Sequence, residues 1–206
     1  KASQGRTGIG LYPDGMVEHD DMVGKVLKKL DELGIAENTI VIYSTDNGAE
    51  TFSWPDGGIT PFHGEKGTTW EGGFRVPAAV RWPGKIPAGV VNDELMTAMD
   101  LLPTFAKLAG AELPTDRVID GKDIWPVLTG KEKSPHEAFF YYRGRNIEAI
   151  RSGKWKLRRV KNETELYDLE ADPEELPQQI DAHVLGRARA GNQVGLCRPQ
   201  HLPLLG

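Results

Sequence analysis

Apolar residues recur every three or four positions between Gly15 and Leu33, and this spacing predicts an amphipathic helix with one apolar face. Gly34 follows directly and suits the C-cap of such a helix. A second helix is predicted over residues 97–109, either broken or begun near Pro103, because proline lacks the N–H that a helix interior needs. The apolar positions of the first helix are Met16, Val23, Val26, Leu27, Leu30 and Leu33.

The strand signals lie between these two helices. Residues 39–44 form an apolar, β-branched run, which is typical of a strand buried in a parallel sheet. A second apolar strand is predicted over residues 76–82. The intervening residues 54–63 are rich in glycine and proline, so they are predicted to form a loop above the carboxyl end of the first strand. In an open α/β sheet, that end is where ligands bind.

The pattern of the chain changes after residue 133. Four short apolar segments, separated by turns, predict a small antiparallel sheet. The third segment alternates basic residues with Trp155 and Leu157, which favours a strand with one solvated, charged face over an anion-binding patch. We therefore predict an α/β domain, an antiparallel β subdomain and a tail without periodicity that is expected to be poorly ordered, over residues 1–133, 134–172 and 173–206 respectively.

Composition sets the outer bounds on function. Of the 206 residues, 39% are apolar, which is enough for a real core. The net charge of −5 predicts no general attraction to nucleic acid or to an anionic membrane. No apolar run approaches the roughly 20 residues that span a bilayer. A single cysteine excludes a disulfide scaffold but leaves the cellular compartment open, and the oligomeric state is also open.

The candidate chemistry begins at the end of the first strand, in the tripeptide Asp46-Asn47-Gly48. A carboxylate beside an amide carbonyl offers the hard oxygen ligands that Ca²⁺ and Mg²⁺ prefer, and the glycine allows a sharp turn. Lys66, flanked by glycine and hydroxyl residues, can bring a positive charge to an anion that is bound beside this cation. His63, in the loop, is a candidate substrate-binding residue because it titrates near neutral pH, although a loop histidine is more often only solvated.

Two segments, residues 44–49 and 64–77, resemble the carboxyl-terminal half of the arylsulfatase family, within the alkaline-phosphatase superfamily. They read Ser-Thr-Asp-Asn-Gly-Ala and Gly-Glu-Lys-Gly-Thr-Thr-Trp-Glu-Gly-Gly-Phe-Arg-Val-Pro. The resemblance runs in order from about residue 7 to about residue 176. It continues through Trp82-Pro-Gly-Lys, Asp100-Leu-Leu-Pro-Thr, Asp120-Gly-Lys-Asp, Arg151-Ser-Gly-Lys-Trp-Lys-Leu and Glu165-Leu-Tyr-Asp-Leu.

This resemblance implies part of an α/β/α sandwich of the alkaline-phosphatase type, followed by a small antiparallel sheet. It also implies hydrolysis of small-molecule sulfate monoesters, expected to be aryl sulfates. By the same resemblance, Asp46 and Asn47 bind a divalent cation, Ca²⁺ with Mg²⁺ as the alternative, and Lys66 is a catalytic residue that binds sulfate. The family's nucleophile is a formylglycine, made from cysteine in a Cys-x-Pro-Ser-Arg type of segment near the amino end of the full protein.

No segment of that type precedes the motifs here, so we expect this chain to begin inside the catalytic domain. The nucleophile and the other metal ligands are then expected upstream, and the chain alone is expected to be inactive. Cys197 is followed by His201 where the family has arginine, so it is not expected to be the nucleophile. Two alternatives stay open: a phosphoester or phosphonate hydrolase on the same scaffold, and a noncatalytic truncated remnant.

Overall fold

The computed structural model of the protein describes residues 3–161 and 163–176. Its first helix, α1 (Leu11–Glu32), confirms the predicted amphipathic helix but begins before Gly15. The early start has a tertiary cause, because the backbone N–H of Tyr12 donates to the Asp56 carboxylate at 3.2 Å, far along the chain. Gly34, at a φ of 68°, follows the end of the helix in the left-handed conformation that glycine adopts without strain.

The first strand, β1 (Val41–Ser44), pairs with β2 (Ala78–Arg81). The pairing is antiparallel, with Val41 opposite Arg81 and Ser44 opposite Ala78. Among the residues described, this replaces the buried parallel pairing that was predicted, and β1 is only partly buried. The prediction was wrong because a β-branched run reports a tendency to form strand, whereas the direction of the neighbouring strand is decided by tertiary contacts.

After the short helix α2 (Glu71–Phe74), the predicted second helix is confirmed as a single 3₁₀ turn followed by α3 (Leu101–Leu108). Pro103 lies in the first turn of α3, where its missing N–H costs no hydrogen bond. The turn before α3 is closed by Asp100, whose carboxylate accepts the backbone N–H of Thr97 at 2.7 Å. A short helix, α4 (Trp125–Leu128), follows, and the Trp125 ring packs edge-on against Trp82 beside β2.

The predicted antiparallel sheet is present as a simple meander in which each strand pairs with the next. All three pairings are antiparallel, and one β-bulge lies between Tyr141 and Tyr142. The strands are β3 (Phe139–Arg143), β4 (Asn146–Ser152), β5 (Trp155–Val160) and β6 (Glu163–Asp168).

The alternation predicted for β5 is present, but its two faces are the reverse of those expected. Lys156 is completely buried, whereas Trp155 and Leu157 are 45% and 37% exposed. The expected solvated basic face is therefore wrong. The basic face packs inward because the carboxylates of Glu71 and Glu175 lie within 3 Å of the Lys156 ammonium, and a buried charge is tolerated where it is paired.

Two further sequence predictions concern the tail of the chain and the absence of a membrane-spanning segment. Residues 177–206, which hold Cys197 and most of the predicted tail, lie outside the described residues. Within residues 3–161 and 163–176, no helix combines the length and the apolar character needed to cross a membrane.

We predict that Asp100→Ala lowers the free energy of unfolding by about 3 kcal/mol, because the completely buried Asp100 carboxylate is the acceptor for several groups. It accepts the N–H groups of Thr97 and Lys122 and contacts the His136 ring nitrogen at 2.8 Å. Urea unfolding followed by tryptophan fluorescence measures the loss. Asp116→Ala is the matched control, since that exposed carboxylate pairs with its neighbour in sequence, and its midpoint should not change. Equal shifts in the two variants would contradict this role for Asp100.

Candidate active site

The turn at residues 46–48 directly follows β1 and presents two oxygen-bearing side chains. Asp46 is exposed, and its carboxylate lies 3.5 Å from the Thr45 hydroxyl, a distance too long for a strong hydrogen bond. Asn47 is half-buried and donates its amide nitrogen to the Gly48 carbonyl at 3.0 Å, which keeps its amide oxygen available as a ligand. The carboxylate and the amide oxygen therefore fit a hard divalent cation.

These two donors form only part of a metal site. Ca²⁺ takes about six to eight oxygen ligands, and the turn supplies two side chains. No cluster of three or more histidine, cysteine, aspartate or glutamate side chains with a metal-binding arrangement occurs in the part of the chain that the structure describes. The turn is therefore suited to contribute to a cation site, not to form one alone.

The turn is packed against residues 62–74, which we call the lysine segment. The N–H of Gly48 donates to the carbonyl of Gly73 at 3.0 Å. A Cβ atom added at Gly48 would lie 1.6 Å from the carbonyl oxygen of Gly72, so no residue with a side chain fits this contact. Two backbones thus approach more closely than any pair of side-chain-bearing residues would allow.

Lys66 joins the same contact from the other side. Its N–H donates to the carbonyl of Ala49 at 3.0 Å, one residue after the turn at residues 46–48. Its ammonium lies 3.3 Å from the Glu50 carboxylate, and the side chain is half exposed. The structure therefore brings Lys66 back beside the turn that carries Asp46 and Asn47, although some twenty positions separate them in sequence.

The lysine segment keeps its shape through its glycines and one hydroxyl. Gly72 donates its N–H to the carbonyl of His63 at 2.7 Å, and an added Cβ there would lie 2.3 Å from the Gly64 carbonyl oxygen. The Thr68 hydroxyl donates to the carbonyl of Glu65 at 2.7 Å and accepts its N–H at 3.1 Å. Lys66 thus projects from a turn that is held in place by hydrogen bonds of Glu65 and Thr68.

His63 occupies a different position. The His63 ring lies edge-on to Trp70, with a centroid separation of 4.3 Å. The backbone N–H of His63 donates to the carbonyl of Glu174 at 3.0 Å. Among the described residues, no hydrogen bond joins the His63 ring to Asp46, Asn47 or Lys66. The residue is exposed, so its ring remains accessible to a ligand.

Comparison with protein-family models gives two matches. The first is the model described as sulfatase, which matches residues 4–111, and the second is the model described as N-sulphoglucosamine sulphohydrolase, C-terminal, which matches residues 63–189. The first match alone covers more than half of the chain and includes the turn at residues 46–48 and the lysine segment.

The chain belongs to the sulfatase family. Its relatives include an arylsulfatase of Hemicentrotus pulcherrimus, which is 44% identical over 166 residues, covering 78% of this chain and 30% of the relative. The steryl-sulfatase of Mus musculus is 45% identical over 163 residues, covering 74% of this chain and 26% of the relative. Human arylsulfatase A is 41% identical over 174 residues, covering 82% and 34%. This sulfatase chain therefore spans about a third of the length of these relatives.

Solved structures agree with the family and with the alkaline-phosphatase-like α/β fold. The sulfatase PsFucS1 from Pseudoalteromonas sp. superposes with a TM-score of 0.75 at 30% identity, covering 87% of this chain and 43% of that structure. A sulfatase of glycosaminoglycan metabolism from Bacteroides thetaiotaomicron superposes with a TM-score of 0.77 at 27% identity, covering 91% and 44%. The sulfatase fold is thus retained over most of the described residues.

One residue of this candidate site was not predicted from the sequence. The Glu65 carboxylate accepts both the N–H and the hydroxyl of Thr51, at 3.0 and 2.6 Å. These two hydrogen bonds, the hydroxyl first, hold the pKa of Glu65 below its usual value, so this link stays ionised at neutral pH. A glutamate immediately before Lys66 in a glycine-rich turn was the available signal, but its partner is visible only in the fold.

An aromatic wall lies next to Glu50. The rings of Tyr12 and Trp54 are 5.8 Å apart, and they line a shallow depression of about 40 Å³ together with Glu50 and Ile59. Trp54 is 54% exposed. Since Glu50 is the residue that pairs with Lys66, this apolar wall is close to the candidate sulfate-binding lysine.

We predict that Gly72→Ala destabilises the protein by about 2 kcal/mol, because the new methyl group would meet backbone oxygens that cannot move independently. Gly58→Ala is the matched control, since an added Cβ there meets nothing within 4 Å. That control should be neutral or slightly stabilising, because alanine restricts the unfolded chain. Urea unfolding of both variants tests the difference, and equal stability would show that the close packing of Gly72 inside the lysine segment is not required.

Proposed function

We propose that this chain forms part of a sulfuric ester hydrolase that cleaves sulfate monoesters, with Asp46 and Asn47 as two ligands of a divalent cation and Lys66 at the sulfate. The observation that carries the proposal is the close backbone contact between the turn at residues 46–48 and the lysine segment. That contact brings the turn that carries the two oxygen donors beside the segment that carries the Lys66 ammonium, and an oxyanion ester with its cation requires both kinds of group in one site.

In this proposal Asp46 and Asn47 hold the cation through a carboxylate and an amide oxygen. Ca²⁺ is the expected ion and Mg²⁺ the alternative, since both favour oxygen ligands. The bound cation would supply Lewis-acid neutralisation of the negative charge on the ester. The exposure of Asp46 and its long contact with Thr45 support the role, because little has to be broken before the carboxylate binds a metal.

Lys66 binds and orients the sulfate in this proposal. Its present partner, Glu50, forms a half-exposed ion pair, and such pairs contribute little to stability. The ammonium can therefore exchange Glu50 for a sulfate oxygen at low cost, while the hydrogen bond from the Lys66 N–H to Ala49 keeps its backbone in place. An ammonium with three donors suits the tetrahedral sulfate and stabilises charge that develops in the transition state.

The remaining parts of the proposal are the leaving group and the nucleophile. The Tyr12–Trp54 wall beside Glu50 favours an aromatic leaving group, and His63 is accessible for a contact to the substrate. The nucleophile is proposed to be the formylglycine of the family.

We predict that Asp46→Ala in the intact protein abolishes hydrolysis of a nitrophenyl sulfate, because it removes the anionic ligand of the cation. Asn47→Ala should have a smaller effect, since a neutral ligand contributes less to the attraction of the metal. Turnover and metal content, measured with and without added Ca²⁺ or Mg²⁺, provide the test. Asp20→Ala, which removes an exposed carboxylate on α1, is the control. Normal turnover and metal content in the Asp46 variant would refute the metal assignment.

We predict that Lys66→Ala lowers sulfate-ester hydrolysis by about 10²-fold or more, because a preorganised positive charge at the sulfate is lost. Lys66→Arg should rescue poorly, since a planar guanidinium does not reproduce the geometry of an ammonium. The thermal midpoint should change little, as the side chain is half exposed.

Lys25→Ala, on the exposed surface of α1, is the control for the Lys66 variants. Parallel assays with a nitrophenyl phosphate distinguish a sulfatase from a phosphatase on the same scaffold. A normal rate with a much lower midpoint would mean that Lys66 is structural, and turnover of the phosphate ester alone would overturn the proposed substrate class.

A further inference from the structure

A buried cluster of charges lies behind the lysine segment and has no part in the proposed chemistry. The Lys156 ammonium is 2.9 Å from one Glu71 oxygen, to which it donates a hydrogen bond. It is also 2.8 Å from a Glu175 oxygen, a close charge contact rather than an aligned hydrogen bond. Arg151 lies 3.8 Å from the other Glu71 oxygen, so two cations balance two carboxylates.

This cluster joins three separate parts of the chain. Lys156 comes from β5, Glu71 begins the short helix α2 (Glu71–Phe74) inside the lysine segment, and Glu175 follows β6. The N–H of Glu71 donates to the Glu175 carboxylate, and the N–H of His63 donates to the carbonyl of Glu174. Residues 174 and 175 therefore hold the lysine segment at two points.

The backbone of Glu175 adopts an unfavourable conformation that these contacts impose. Its φ is 52°, in the left-handed region that residues other than glycine rarely adopt. Such a conformation is strained and persists only where surrounding contacts impose it. Here the imposed contacts are those with Lys156 and with the N–H of Glu71.

The tyrosine on the same face of the sheet completes the cluster. The Tyr141 hydroxyl donates to the Glu71 carboxylate at 3.0 Å, and the Lys156 ammonium lies 4.1 Å from the centre of the Tyr141 ring. Burial, followed by the Glu71 charge, raises the pKa of Tyr141, so the hydroxyl stays protonated as a donor. Glu71 is thus fixed by Lys156, Tyr141 and, more distantly, Arg151.

We propose that Lys156 is a positioning residue for the site, acting through Glu71 on the glycine contacts that hold Lys66 beside Asp46 and Asn47. Glu71 immediately precedes Gly72 and Gly73, the residues that contact the turn at residues 46–48. The inference rests on the function proposed above. It extends that function by tracing the geometry of the site back to a sheet that contributes no proposed ligand.

The physical basis is the cost of an uncompensated buried charge. Without Lys156, the Glu71 and Glu175 carboxylates face each other with Arg151 as the remaining cation near Glu71. Burial already raises the pKa of Glu175, and the charge of Lys156 opposes that rise. Removing the lysine therefore requires one carboxylate to take up a proton or the lysine segment to move away from the sheet.

Lys156→Met in the intact protein tests the proposal, since methionine keeps the apolar stem and removes the charge. Amide hydrogen exchange of residues 62–74 should be accelerated by about tenfold or more, while exchange in β3 to β6 should not change. The kcat for a nitrophenyl sulfate should fall by about tenfold or more with a smaller change in KM, because a misplaced Lys66 stabilises the transition state less.

The matched control is Lys154→Met, two residues earlier, which breaks a partly exposed ion pair with Asp168 and leaves the cluster intact. Neither exchange in residues 62–74 nor kcat should change in this variant. Lys156→Met combined with Glu175→Gln should recover part of the lost exchange protection and activity. The second substitution removes one of the two buried carboxylates that Lys156 neutralises. If Lys156→Met does not fold, Lys156→Gln, which also removes the charge but keeps a hydrogen-bond donor for Glu71, decides the question with the same two measurements.

Two results would overturn the inference. One is unchanged exchange in residues 62–74 in Lys156→Met, or in Lys156→Gln where that variant is used. The other is equal acceleration throughout β3 to β6, which would make Lys156 a structural residue of the sheet. The exchange measurement does not depend on catalysis. If Lys66→Ala keeps full activity while residues 62–74 are selectively loosened in Lys156→Met, the proposed role of Lys66 fails and the positioning by Lys156 stands.

Discussion

The candidate site depends on one close contact between two backbones. The hydrogen bond from Gly48 to Gly73 requires glycine at position 48, because a Cβ there would overlap the Gly72 carbonyl oxygen. Everything proposed for the site follows from this approach. It brings the oxygen donors of Asp46 and Asn47 to the segment that carries Lys66, so the geometry of the site is set by backbone atoms and not by flexible side chains.

Charge is distributed in two layers around this contact. On the outer side, Asp46 and the Lys66–Glu50 pair are exposed or half exposed, so their partners can be exchanged for a ligand at low cost. On the inner side, Lys156 and Glu71 are completely or almost completely buried and satisfied by one another. Buried pairs of this kind are costly to break, which suits them to hold a segment in place.

Sequence similarity supports the family of the chain, whereas geometry supports the roles of individual residues. The sulfatase match and the relatives at 41–45% identity establish the family, and they extend over residues that the site and the sheet both use. Geometry supports the individual roles, since it shows which side chains are near each other and which are free to bind. His63 illustrates the difference, because it lies in the matched region but packs on Trp70 and makes no hydrogen bond to Lys66 through its ring among the described residues.

The sequence by itself determined the family, the helices α1 and α3, the four-stranded meander and the residues worth testing, because periodicity and short motifs are local properties. Only the tertiary structure decided the antiparallel partner of β1, the early start of α1 beside Asp56, and the burial of Lys156. Each of these depends on a group distant in sequence. An alternating strand has two equivalent faces, and the carboxylates of Glu71 and Glu175 decide which one is buried.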